Sequence, residues 1–304
     1  MNRSGIINIP LLFLLITVNT RAMELPDSSN VDRKLLRNIV IAESAASVLT
    51  LGVLYVSWYS DYPHTSFHFF NDNREWQQLD KMGHITASYN IGRLGYDLLR
   101  WPGVDRKRSV WYGGTLGLAY MTVVEIMDGF SEGWGASPGD IATNTFGAGL
   151  FIGQQLAWDE QRIFVKLSYH ESGYAQYRPG VLGGNLPERI LKDYNGQTFW
   201  LSANISSFLP DNSGFPEWLN AAFGYSGEGL LGGTYNPAEV DGTPLPSFER
   251  RRRYFFSFDL DLTHIETRSK ALRMIFNVLS IVKVPFPAVE FNQGTGWRLH
   301  GVYF

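Results

Sequence analysis

Hydrophobic and polar positions along this chain follow two periods. From about residue 34 to residue 158, apolar residues recur every three or four positions, the spacing of helices that pack on one face. From about residue 161 to residue 304 they mostly alternate with polar ones, the spacing of strands. The first half divides into four predicted helices. Residues 35–59 hold an apolar run from Ala45 to Trp58, with Glu43 as the one internal acid. Residues 79–101 are stopped by Pro102 and Gly103. Residues 106–127 carry Gly113, Gly114 and Gly117, and residues 137–158 carry Gly147, Gly149 and Gly153. Glycines are costly inside a water-exposed helix, but in an apolar bundle they let helices approach closely. Ser137 has the chemistry of an N-cap, Pro138 suits the first helical position, and Asp140 complements the helix dipole. The first, third and fourth segments approach the length that crosses a hydrocarbon layer, although none is an unbroken charge-free run of about 20 residues. A tightly packed soluble bundle has the same pattern.

The second half offers amphipathic strands. Ile163, Val165, Leu167 and Tyr169 alternate with Lys166, Ser168 and His170. Four further runs, starting near Phe199, Leu219, Tyr254 and Trp297, repeat the pattern. One face is greasy and aromatic, the other polar. Strands of an outer-membrane protein read this way, and so does a water-facing sheet packed on helices. The terminal Tyr303 and Phe304 resemble the ending by which outer-membrane barrel proteins are recognised for assembly. Five or six strands fall short of the eight or so that a closed spanning barrel needs, and residues 268–282 have a helical stripe instead. The expected fold class is therefore α+β: an N-terminal apolar four-helix bundle over residues 23–158, then an antiparallel β-sheet or partial β-barrel over residues 159–304. Residues 1–22 read as a secretory signal peptide, with Arg3 before an apolar core and Thr20-Arg21-Ala22 as the cleavage pattern.

Composition narrows the class. Charged residues are 18% and aromatic residues 14% of the 304 positions; soluble domains carry roughly 25% charge. A formal net charge of -3 gives no footprint for nucleic acid. The chain has no cysteine, so disulfides, thiolate metal sites and a lipid-bearing N-terminal cysteine are excluded from it.

Candidate chemistry lies in three helical segments. Asp80 and His84 are four residues apart with Lys81 between them, Glu125 and Asp128 are three apart, and Asp140 and Asn144 are four apart. Such spacings put both side chains on one helix face, so three helices can aim polar groups at one spot. Three readings compete. One His among several carboxylates suits a hard or borderline divalent ion, yet no HExxH or EF-hand pattern is present, and no metal or cofactor is assigned. A carboxylate orienting His84 suits acid–base catalysis on a lipid-linked or cell-wall substrate, yet no serine occupies a nucleophile elbow. Alternatively the groups neutralise one another and bridge the helices. Residues 129–136, rich in glycine and aromatics, form a loop beside this cluster, suited to a gate or to a plain helix–helix connection. Arg250, Arg251, Arg252 and Arg253 form a basic run suited to anionic lipid or to a solvated loop.

The residues Asp80-Lys81-x-x-His84, Glu125-x-x-Asp128-Gly129-Phe130 and Ser137-Pro138-x-Asp140-x-x-x-Asn144-x-x-Gly147 together resemble the YfiM-like proteins, a family of predicted outer-membrane or periplasmic lipoproteins of unknown function. The likeness covers about residues 76–158. A more distant likeness is to VanZ-like membrane proteins. The chain departs from the lipoprotein pattern in lacking the cysteine and in adding a β-rich half, as in longer Bacteroidetes-type versions. The resemblance implies a Gram-negative cell-envelope protein; the amphipathic strands add the expectation of the outer membrane, with membrane lipid or a lipid-linked glycan as partner. The resemblance implies no activity.

Overall fold

The computed structural model describes residues 31–60, 62–210 and 212–304. Residues 1–22, read as a signal peptide, lie outside the described residues.

Helix α1 (Arg33–Leu54) starts at Asp32, whose carboxylate accepts from the Leu35 amide at 2.9 Å, and continues through one wide turn to Tyr59. Then come α2 (Leu79–Arg100), α3 (Leu116–Gly129), reached through a helical stretch from Arg106 to Gly113, and α4 (Pro138–Trp158). Ser137 caps α4 as its residue type predicts: its hydroxyl accepts from the Asp140 amide at 3.1 Å. Glycine lets these helices touch along their backbones. A Cβ on Gly117 would lie 2.0 Å from the Ser88 carbonyl oxygen, and one on Gly147 would lie 2.6 Å from that of Ile85. Tyr89, Val110, Phe151 and Ile152 close the core between them, joined by Val165 from the sheet.

The expected four-helix bundle is three helices with a fourth beside it. α2, α3 and α4 pack together, whereas α1 turns Val48, Leu49, Val53 and Val56 outward. It is tied in near its ends, by Leu36 against Leu99 and Val104 and by the Tyr59 hydroxyl on Asp128. The physical reason is the lack of a seam. A Cβ added at Gly52 would meet nothing, so α1 has none of the backbone contact that Gly117 and Gly147 give the other helices.

Six antiparallel strands form one sheet in chain order: β1 (Ile163–Tyr169), β2 (Gln197–Asn204), β3 (Leu219–Glu228), β4 (Arg251–Leu260), β5 (Phe286–Asn292) and β6 (Gly296–Tyr303). Between β1 and β2 lies the short helix α5 (Leu186–Lys192), and between β4 and β5 lies α6 (Lys270–Leu279), shorter than the predicted 268–282. The alternation does not reveal β5, because Pro285 and Pro287 interrupt it. Pro287 sits at the irregularity in the β5–β6 register between Phe286 and Ala288, where a missing amide is tolerated.

The sheet is open but strongly curled. In a flat sheet, β1 and β4 would lie about 14 Å apart, three strand spacings. Yet Lys166 Nζ on β1 is 2.6 Å from Asp259 Oδ2 on β4. The hydroxyls of Thr198 on β2 and Tyr303 on β6 meet at 3.1 Å across the same concavity. The segment 281–283 hydrogen-bonds to the outer edge of β1 at Leu167.

Curling exposes which face is which. The register carries one face from Lys166 through Trp200 and Gly224 to Phe255. This face is concave and buried, and it holds Lys166, Ser202, Asn220, Arg253, Asp259 and Glu290. The opposite face carries Phe223, Phe256, Val289, Trp297 and Leu299. Near β1 to β3 it is covered by α2, through Leu79, Phe199 and Leu230. Beyond that it is bare: Trp297 is 75% and Leu299 76% exposed. A sheet with one wet face keeps its polar residues outside; this one keeps them inside.

Candidate functional site

The polar residues of the helical half converge at one end of the three-helix unit, formed by the first turns of α2 and α4 and the last turn of α3. The lead into α2 is unusual. Trp76, Gln77 and Gln78 all have left-handed backbones, with φ of 45°, 52° and 65°, a region that costs a non-glycine residue about 1–3 kcal/mol. Trp76 packs on Tyr194 across this turn. On its two sides the turn brings Asp72 and Lys81 together.

Lys81 is the hub. Its Nζ lies 2.5 Å from Asp72 Oδ1, 2.8 Å from Asp140 Oδ1 and 3.4 Å from Asp80 Oδ2. The Ser137 hydroxyl donates to Asp72 Oδ1 at 2.6 Å, and the Ser137 amide donates to Glu125 Oε2 at 2.9 Å. His84 stands between two sets of acceptors. Its Nδ1 is 3.1 Å from Asn144 Oδ1 and 3.5 Å from Glu125 Oε1; its Nε2 is 3.8 Å from both Asp80 Oδ1 and Asp140 Oδ1. Tyr194, from the segment before β2, donates its hydroxyl to Asp80 Oδ1 at 2.7 Å. Asp128 stands at the edge and accepts the Tyr59 hydroxyl at 2.8 Å.

Five carboxylates therefore surround one lysine and one histidine, mostly out of water. Burial pushes Asp128 up to about 7. Burial also raises Glu125, and burial together with the Asp80 charge raises Asp140. Asp72 moves the other way. Burial works against it, but hydrogen bonds from Asp140, Lys81 and Ser137 hold its carboxyl below the usual range. The chemistry available here is exchange of a proton or capture of a cation.

All seven residues of the predicted cluster, Asp80, Lys81, His84, Glu125, Asp128, Asp140 and Asn144, are brought together. Asp72, Tyr59 and Tyr194 join them without having been predicted. No spacing rule finds them, because each comes from outside the three packed helices. The loop 129–136 is pinned. The amides of Thr65, His68 and Phe70 donate to the carbonyls of Phe130, Gly129 and Ala136 at 2.9–3.0 Å, strapping it down beside the cluster.

The arginine run does not make one patch. Arg250 donates to the carbonyl oxygens of Gly232 and Gly233. Arg251 pairs with Glu249. Arg252 donates to the Tyr225 hydroxyl at 3.0 Å and Gln78 Oε1 at 3.1 Å. Arg253 points into the curled sheet and clasps Glu290 through two bonds of 2.7 and 3.1 Å. Strand alternation sends neighbouring arginines to opposite faces.

Residues 68–153 match the model of a family described as predicted periplasmic lipoprotein (DUF2279). The matched stretch runs from the strap before α2 to near the end of α4 and contains Asp72, the left-handed turn and every predicted cluster residue. No curated protein and no solved structure matches the chain. The family match supports a protein of the Gram-negative cell envelope whose activity is unknown.

Proposed function

We propose that this chain is an integral outer-membrane protein, held in lipid by an apolar waist, and that it binds and stabilises membrane lipid there. The observation that carries the reading is the inverted sheet, with charged groups buried inside the curl and aromatic groups bare outside. Water penalises that arrangement and a lipid solvent favours it.

The helices support the same waist. Residues 109–124 and 141–158 contain no charged residue, yet they expose Trp111, Tyr112, Phe146 and Leu156. The helix Arg33–Tyr59 has a mean hydropathy of 2.0 in its most apolar window, of which 6% is buried. Basic residues collect at one end of the waist and acidic ones at the other, with Glu43 of α1 between them. At one end lie Arg33, Lys34 and Arg37 of α1, with Arg100, Arg106, Lys107 and Arg108; the contact of Leu36 with Leu99 and Val104 holds these segments side by side. Such a basic rim suits anionic head groups. At the other end lies the acidic cluster, just outside the charge-free stretches. α6 turns Leu272, Ile275 and Leu279 outward near the basic rim, as an interfacial helix does.

The test is reconstitution of the full-length chain into vesicles of brominated and ordinary phospholipid. The protein should float with the vesicles after an alkaline carbonate wash, and bromine should quench Trp297 fluorescence relative to a Trp297→Phe control. Release by carbonate, or unquenched Trp297, rules out the lipid-embedded reading.

A further inference from the structure

The acceptors around His84 have an arrangement that a structural cluster would avoid. On one side of the ring, the Asn144 amide oxygen and the Glu125 carboxylate both face Nδ1. Neither oxygen donates, so Nδ1 carries a hydrogen toward them. On the other side, Asp80 Oδ1 and Asp140 Oδ1 lie 3.8 Å from Nε2. Both separations are too long for hydrogen bonds. Ligand atoms of Asp80, His84 and Asp140 all fall within 4.8 Å of one another, a spread that one ion with bonds of about 2.0–2.2 Å can gather with small side-chain movement.

A second observation is independent of that triangle. Glu125 is 3% exposed, and its Oε1 has no hydrogen-bond partner although it is aimed at His84. A buried unpaired carboxylate oxygen is costly. It becomes useful behind a histidine whose Nε2 holds a cation, because a carboxylate on the far nitrogen strengthens the ring as a ligand. The Tyr194 hydroxyl fixes Asp80 in the same supporting way. Lys81 shares Asp140 Oδ1 but also holds Asp72 at 2.5 Å, so it can keep that partner when another cation arrives.

We propose that Asp80, His84 and Asp140 bind one divalent transition-metal ion, Mn²⁺ or Zn²⁺, at the acidic end of the molecule, with Glu125, Asn144 and Tyr194 orienting the ligands. One imidazole with two carboxylates favours these ions over Mg²⁺ and Ca²⁺, which prefer all-oxygen shells. The inference stands on the site alone and does not depend on membrane insertion.

The experiment uses the full-length chain in detergent micelles, stripped with chelator and titrated with Mn²⁺, Zn²⁺, Mg²⁺ and Ca²⁺. One Mn²⁺ or Zn²⁺ per chain should bind and raise the unfolding temperature. His84→Gln and Asp140→Asn should each weaken binding by about tenfold or more, on the scale of losses at metal sites. Asp105→Asn, at the opposite end, should leave it unchanged. Should a ligand variant fail to fold, electron spin resonance of Mn²⁺ on the unmutated chain decides the point through coupling to a histidine nitrogen. The proposal is overturned if neither ion binds, if only Mg²⁺ or Ca²⁺ binds, if the folded ligand variants bind as well as the parent, or if the bound Mn²⁺ shows no nitrogen coupling.

Discussion

His264 and Asp261 show what a single pair contributes outside the waist. Asp261, in the connection after β4, is almost wholly buried, and its Oδ2 lies 3.1 Å from His264 Nδ1. The Asp261 carboxylate raises the histidine, burial opposes it, and the charges of Glu217 and Glu160 add to the rise. A group whose folded-state value is raised stabilises the fold fully below its unfolded value, about 6.5 for histidine. The contribution is lost as pH climbs through the raised value. The thermal stability of the parent should therefore fall as pH rises past about 6.5, and His264→Gln should flatten that part of the curve. An unchanged slope would mean the pair is already open. At this scale the candidate site was half legible. Asp80, His84, Glu125, Asp128, Asp140 and Asn144 announce themselves by helical spacing. Tyr194 meets Asp80 from 114 positions away, and only tertiary structure makes that contact.

Each element repeats the choice between burying a charge and exposing it, and the sheet settles it by pairing. Lys166 and Asp259 have side chains 1% and 0% exposed, and Asp259 also accepts from Ser202 and from the Val284 amide. Removing one member of a buried ion pair leaves the other uncompensated, a loss of about 3–5 kcal/mol. Lys166→Met should lower the unfolding free energy by that much in detergent. Adding Asp259→Asn should recover part of the loss; equal additive losses would show that the two charges are not coupled. Strand existence was legible wherever β-branched and aromatic residues alternated cleanly, as in β1 and β4. It failed at β5, where two prolines break the pattern. The helical segments were found nearly whole. Their packing was not, because α1 has apolar residues like the others but lacks their glycine contacts.

At the scale of the whole molecule, the alternating pattern told that two faces differ without telling which is inside. Only the curl, with Lys166 reaching Asp259 from three strands away, identifies the polar face as the interior. Phe256 discriminates between a lipid and an aqueous exterior. It is 51% exposed near the middle of β4. Phe256→Arg should cost about 2–4 kcal/mol in a bilayer, the range for arginine at the midplane of a membrane strand. On a water-facing surface, the same change falls within about 0.5 kcal/mol. Comparing unfolding in vesicles and in aqueous buffer measures the difference directly.

The charge-free run 141–158 in α4 has a consequence for where the molecule is comfortable. Its 18 residues rise about 27 Å at 1.5 Å each, a little short of the average hydrocarbon thickness of about 30 Å. Tilting only shortens the projected span, so it cannot fit the run to a thicker layer. In such a layer the lipid chains must compress around the molecule, at a cost of fractions of a kcal/mol per Å. Hydrophobic mismatch of this sign sorts a protein toward thin bilayers, and the bacterial outer membrane is thinner than average. On the lipid-embedded reading proposed above, the length of one helix would act as an address.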